Sequence, residues 1–332
     1  MEGRPSPLIA PVASGLGIQI TRTTVMENIL DPKVQIASLK AFLSRYPDVD
    51  LVFPVMDTSV EARALGCPSK FKGSVPVITG HPYSTPQAIA GLAAPDPMKN
   101  LPMRTNIEIV TWLCRESGKK TVAFVVGPLT LAAHLIDIKE LVRLTVKEPG
   151  TFDEILSHCL RFSKPYAAAY ADAGVSSVAI LEPQVGFFSP AIYERSIRSK
   201  IEDLARTLPS PILHVCGNTT RHLASLAGTH FVDGLSLDAS VDFAGSLEKI
   251  PELSSKILMG NISPMAELLQ GTPESIRERT QQLIVSMKGR HFILSSGCDM
   301  APDTPLENLD AFMDAARAMR HWSLQQHARI LM

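Results

Sequence analysis

The sequence predicts a closed (β/α)₈ barrel, and three observations carry the prediction. Short β-branched apolar runs recur eight times, helix-like stretches separate them, and no G-x-G-x-x-G turn follows the first run. The runs fall at 8–12, 50–54, 121–126, 176–181, 211–215, 233–237, 256–260 and 291–294. Helical patterns lie at 34–46, 104–118, 151–173, 190–208, 219–227, 241–248, 264–288 and 306–325. Parallel strands need such crossovers, because each chain must be returned to the same edge before it can pair again. Two helix starts are spelled out: Thr272-Pro273-Glu274 and Thr304-Pro305-Leu306-Glu307 each place a cap, a first-turn proline and an acid in order. The segment 59–103, between the second and third strands, is rich in Pro and Gly and weakly periodic, and is expected to form a lid over the barrel mouth. With no repeat, low-complexity tract or linker, 1–332 is expected to be one domain.

Composition narrows the function. Hydrophobic residues make up 45% of the 332 and charged residues 20%, enough apolar material for a large core. A formal charge of −1 argues against a nucleic-acid partner, which would call for a clear basic excess. No stretch reaches the roughly 18 uninterrupted apolar residues of a membrane span. The apolar start from Pro7 to Ile20 is broken by Pro11, Gly15 and Gly17 and lacks a basic leader, so a cytoplasmic protein is expected. Five cysteines are an odd number in a chain that can fold on its core alone, which argues against a disulfide framework.

Barrel enzymes place their reactive groups at the C-terminal ends of strands. The fifth run leads into Leu213-His214-Val215-Cys216-Gly217 and the eighth into Leu294-Ser295-Ser296-Gly297-Cys298. His214 and Cys216, two apart, project to one face of an extended segment, and both strand ends open on the same mouth. One imidazole and two thiolates suit Zn²⁺, and three protein ligands leave the fourth position that catalytic zinc keeps open. On spacing alone, packed core residues explain the same pattern. Cys114 and Cys159 fall in helical patterns and Cys67 in the insertion, so packing is expected for all three.

Other strand ends carry polar residues. Glu182 and Asp238 are candidate catalytic carboxylates, Asp238 also a fourth oxygen ligand or a support for the metal site; capping a helix or pairing with a cation is the plain alternative for each. For Asp57 that alternative is favoured. Asn261, Gly217 and Gly297 are candidate cofactor-binding positions; Gly217, Gly260 and Gly297 would let the backbone turn sharply or a ligand approach.

These residues resemble the uroporphyrinogen decarboxylase superfamily, in its zinc-dependent methylcobalamin:coenzyme M methyltransferase branch. Val60-Glu61-Ala62-Arg63-Ala64-Leu65-Gly66-Cys67 is similar to that branch's V-E-A-E-A-x-G-C, and Gly127-Pro128-Leu129-Thr130-Leu131-Ala132 to the superfamily's G-P-x-T-L-A. Gly260-Asn261-Ile262-Ser263-Pro264 with Gly271-Thr272-Pro273-Glu274 resembles G-N-x-x-P…G-T-P-E, and Ser296-Gly297-Cys298 with 302–308 resembles the C-terminal signature. His214-Val215-Cys216-Gly217-Asn218-Thr219 matches the methyltransferases' H-x-C-G-N-x. The resemblance implies a TIM barrel, zinc on His214, Cys216 and Cys298, and methyl transfer from a methylated corrinoid (methylcobamide) to a thiol such as coenzyme M. The chain has no D-x-H-x-x-G motif, so a separate corrinoid protein is the expected partner. One departure stands out: Asp299-Met300 intervenes before Ala301-Pro302, placing an extra carboxylate beside the expected metal site. The alternatives are a uroporphyrinogen decarboxylase and a non-catalytic zinc-binding barrel. The first is disfavoured because Ala13-Ser14-Gly15-Leu16-Gly17-Ile18 has no arginine where decarboxylases carry R-Q-A-G-R-Y.

Overall fold

The computed structural model describes residues 7–72, 75–83 and 85–330, with side chains left undescribed at 72 and from 321 on. Ten strands lie among them: β1 (Leu8–Ile9), β2 (Leu51–Val52), β3 (Ser69–Lys72), β4 (Val75–Ile78), β5 (Lys120–Val126), β6 (Ser177–Leu181), β7 (Ile212–Val215), β8 (Gly234–Leu237), β9 (Ile257–Ile262) and β10 (Phe292–Ser296). Eight form a parallel sheet in the order β1-β10-β9-β8-β7-β6-β5-β2. The ends of that list nearly meet. The Asp50 amide donates to the Ile9 carbonyl at 2.8 Å and the Asp50 carboxylate accepts the Ile9 amide at 2.7 Å. This is the TIM barrel expected from the alternation, with every strand near its predicted position and the first two cut short.

Helix starts explain why the chain returns so regularly. A capping side chain followed by proline in the first turn opens the helices Pro32–Arg45 (Asp31), Leu101–Glu116 (Asn100) and Pro273–Ser286 (Thr272), satisfying an orphan amide and fixing φ together. Three expectations need correction. The pattern at 264–288 is two helical segments, Pro264–Leu269 and Pro273–Ser286, separated at the turn through Gly271 that the Thr272 cap requires. The hydroxyl of Thr304 is buried without a hydrogen bond, so it does not cap the last helix, Leu306–Ile330. The segment 59–103 is more ordered than its composition suggests: it holds the antiparallel pair β3–β4 and the short helices Val60–Ala64 and Pro86–Ala90. Helices Pro128–Leu135 and Ile138–Lys147 were also missed. The first is apolar except at Thr130 and His134 and buried except at His134, so it lacks the one-faced periodicity that marks a surface helix.

The core follows the strands. Val122 to Val126, Val178 to Leu181, Leu213, Val215, Leu235, Leu237 and Leu258 belong to one buried cluster that extends under the helices. Cys67 and Cys159 lie in that cluster and Cys114 packs against it; burial pushes the Cys67 thiol up to about 11 and raises the other two. All three are packing residues, as expected.

Candidate metal centre

β7 and β8 run in register with His214 opposite Ser236, and Leu213 and Val215 alternate with His214 into the packed layer outside the barrel. His214 therefore faces inward near the C-terminal end of β7. Cys216 follows at the strand end, and Cys298 reaches the same point two residues beyond β10. The three ligand atoms lie within 4.8 Å of one another. His214 Nε2 stands 2.9 Å from Cys216 Sγ and 3.6 Å from Cys298 Sγ, and the two sulfurs are 3.3 Å apart. Tetrahedral zinc with the usual bond lengths separates its ligand atoms by about 3.5–3.8 Å, so sub-ångström side-chain movement brings this triangle to size. Among the described residues, no other group of three His, Cys, Asp or Glu side chains converges this way.

Two glycines make the convergence possible. At Gly297 a Cβ would stand 2.7 Å from the backbone nitrogen of Ala239, so only glycine lets the end of β10 press against the loop after β8. Gly217 has φ +77°, turning the chain directly after Cys216. A hydrogen bond from Cys216 is the main reason the Cys298 thiol is held below its ordinary value, and the same contact, with burial, pushes Cys216 up. The Asp299 carboxyl is enclosed beside Cys298; burial and that sulfur raise it well above the ordinary carboxylate range.

The remaining candidates are found at the mouth with different occupations. Glu182 is fully buried at the end of β6, and its carboxylate accepts from the amides of Leu129 (2.9 Å) and Thr130 (2.8 Å) and the Thr130 hydroxyl (2.7 Å). It thus anchors the first turn of helix Pro128–Leu135, while its own amide donates to the His214 carbonyl at 2.9 Å. Burial pushes this carboxyl up to about 7 against the pull of those three bonds. Asp238 is half-buried and accepts the Ser240 amide at 2.8 Å. Asn261 spends its amide hydrogens on the carbonyls of Asp238 (3.1 Å) and Val241 (2.6 Å), tying the end of β9 to the loop after β8. Asp57 pairs with Arg63 at 2.5 Å and accepts from Ser59, the pairing favoured from sequence. Two residues escaped the sequence reading. Ser236 places its hydroxyl 2.9 Å from His214 Nδ1, a contact that strand register would have revealed. Glu61 lies inside the quoted V-E-A motif but drew no separate attention; it is buried and accepts the Val126 amide at 2.8 Å.

Residues 17–319 match the sequence model of the family described as uroporphyrinogen decarboxylase (URO-D). A methylcobamide:CoM methyltransferase of Methanosarcina barkeri is 28% identical over 265 residues, covering 77% of this chain and 76% of that protein. A second protein of that description, from Methanosarcina mazei, is 27% identical over 278 residues, 80% and 78% of the two chains. A uroporphyrinogen decarboxylase of a Synechococcus species is 28% identical over 253 residues, 72% and 70%. Among solved structures, a methyltransferase from Methanosarcina mazei superposes with a TM-score of 0.84 at 24% identity over 96% of this chain and 95% of its own.

Proposed function

Since the chain belongs to the uroporphyrinogen decarboxylase family, we propose that it transfers a methyl group from a methylated corrinoid, presented by a separate protein, to a small thiol such as coenzyme M. The observation that carries this reading is the meeting of His214, Cys216 and Cys298 at the ends of β7 and β10. In the transfer the thiol sulfur's electron pair forms the new S–C bond, the C–Co pair stays on cobalt as Co(I), and the thiol proton leaves to solvent. These three residues would hold one zinc ion. When bound, zinc lowers the pKa of a substrate thiol, ordinarily about 8.5, so that the nucleophile is present at neutral pH.

The protein's own groups set the conditions. Two protein thiolates balance the charge of a divalent ion, which leaves an incoming thiolate more of its nucleophilic character. Cys216 and Cys298 are only half-buried, so the substrate's side of the site opens towards the mouth. Glu182, with both oxygens engaged, supports the end of β6 beside His214, and Asn261 and Gly297 hold β9 and β10 against the loop that carries Asp238. The charges of Asp238 and Asp299 both act on Cys216, and we assign Asp238 the candidate role of oxygen ligand or support. The segment 59–103, with Val75, Val77 and Met98 exposed, is proposed as a cover for the mouth while reactants are bound. We place the protein in the cytoplasm; no helix among the described residues is long and apolar enough to cross a membrane.

The decarboxylase reading has its support in the family itself and in relatives such as the Synechococcus enzyme. Metal analysis and a transfer assay separate the two. Purified protein is expected to carry one zinc per chain and to methylate at least one member of a thiol panel from methylcobalamin. Protein that is free of zinc and decarboxylates a porphyrinogen would overturn the proposal; full zinc with no thiol methylated would leave a binding barrel.

A further inference from the structure

Ser236 has no place in the donor set, yet it touches the one ligand whose protonation has to be chosen. A histidine ligates through a nitrogen that carries no proton, and the other ring nitrogen then carries one and needs an acceptor. Here Nε2 faces the two sulfurs at 2.9 and 3.6 Å, so the proton belongs on Nδ1. The group at Nδ1 is the Ser236 hydroxyl, 2.9 Å away, with Ser236 and His214 only 3% and 4% exposed. Water does not compete for that proton.

We infer that Ser236 is a positioning residue for the metal centre: its hydroxyl oxygen accepts the Nδ1 proton of His214, fixing the tautomer and ring orientation that present Nε2 to the ion. The placement comes from backbone register. β7 and β8 pair with His214 opposite Ser236, while Leu235 and Leu237 point into the outer packed layer, so the two inward side chains stand side by side before any ion arrives. The carboxylate two residues on, Asp238, already accepts the Ser240 amide. Without Ser236, Nδ1–H would be buried with no acceptor, or the proton would move to Nε2 and block ligation.

The inference rests on the proposed zinc site, and its test reads metal affinity. Zinc binding is measured by competition with a chromophoric chelator in unaltered protein, Ser236→Ala and Ser236→Thr, alongside the melting temperature of each in metal-free form. Ser236→Ala is expected to weaken zinc by about 10- to 100-fold with the metal-free melting temperature little changed, and Ser236→Thr to recover most of the loss. Unchanged affinity in Ser236→Ala would overturn the inference while leaving the zinc site standing. So would equal weakening in both variants accompanied by equal loss of metal-free stability, which marks a packing role. No zinc in the unaltered protein would remove the site itself, and this inference with it.

Discussion

The two sides of the barrel mouth treat their polar residues in opposite ways. Around β2, β5 and β6 the carboxylates are buried and committed: Asp57 to Arg63, Glu61 to the Val126 amide, Glu182 to the first turn of a helix. Around β7 and β10 the sulfurs of Cys216 and Cys298 are half-buried and lie against each other and His214. A buried carboxylate without donors would cost several kcal/mol, so the first group is satisfied within the protein. Thiols tolerate partial pairing, and a cluster of them with a histidine is a donor set that a metal ion from outside would satisfy. Titratable groups at strand ends are thus not equivalent: those with their hydrogen bonds filled hold the scaffold, and those left short form the candidate metal site.

The comparison can be broken at its strongest point first. Cys298→Ala is expected to lose its zinc and to slow methyl transfer by more than about 100-fold, with circular dichroism unchanged, since outer-shell changes alone cost 10- to 100-fold. Zinc retained at full occupancy would take Cys298 out of the site. On the other side of the mouth, Arg63→Met leaves Asp57 charged and buried, with side chains only 14% and 2% exposed in the pair. A loss of about 3–5 kcal/mol in denaturant unfolding is expected, with zinc content intact.

Glu182→Gln turns an amide NH₂ towards groups that all donate, and a cost of about 1–3 kcal/mol is expected. Transfer by the folded fraction should stay within a few-fold of normal; a collapse in kcat with stability unchanged would instead bring this carboxylate to the reacting atoms. A further effect is one of pH. Burial pushes the Glu61 carboxyl up to about 8 in the folded chain from an ordinary value near 4.5. The native state therefore binds the proton more tightly than the unfolded chain does. This group's contribution to stability is full below about pH 4.5 and is lost as pH rises towards 8. Glu61→Gln should flatten that part of the stability–pH curve; an unchanged slope would show that Glu61 is not its source.

Much of this was legible because it depends on local chemistry. The order of eight strands followed from β-branched runs, and the start of helix Pro273–Ser286 from a cap followed by proline, both properties of a few consecutive residues. His214 and Cys216 were legible as a pair because two residues apart in a strand is one face. Helix Pro128–Leu135 was not, since burial on all sides erases the periodicity that would announce it. Nor was the fate of Glu182, whose partners Leu129 and Thr130 lie on another βα unit more than fifty residues away.

By itself the sequence determined which residues could serve: two strand ends bearing one imidazole and two thiols, and a set of carboxylates at the neighbouring ends. Tertiary structure decided which of them were available. Closing the barrel carried Cys298 across 82 residues to within 3.3 Å of Cys216 and set Ser236 behind His214. The same closure buried Glu61 and Glu182 among backbone donors. Residue type fixes what a group can bind. Only the packing of distant segments fixes whether its bonds are already filled.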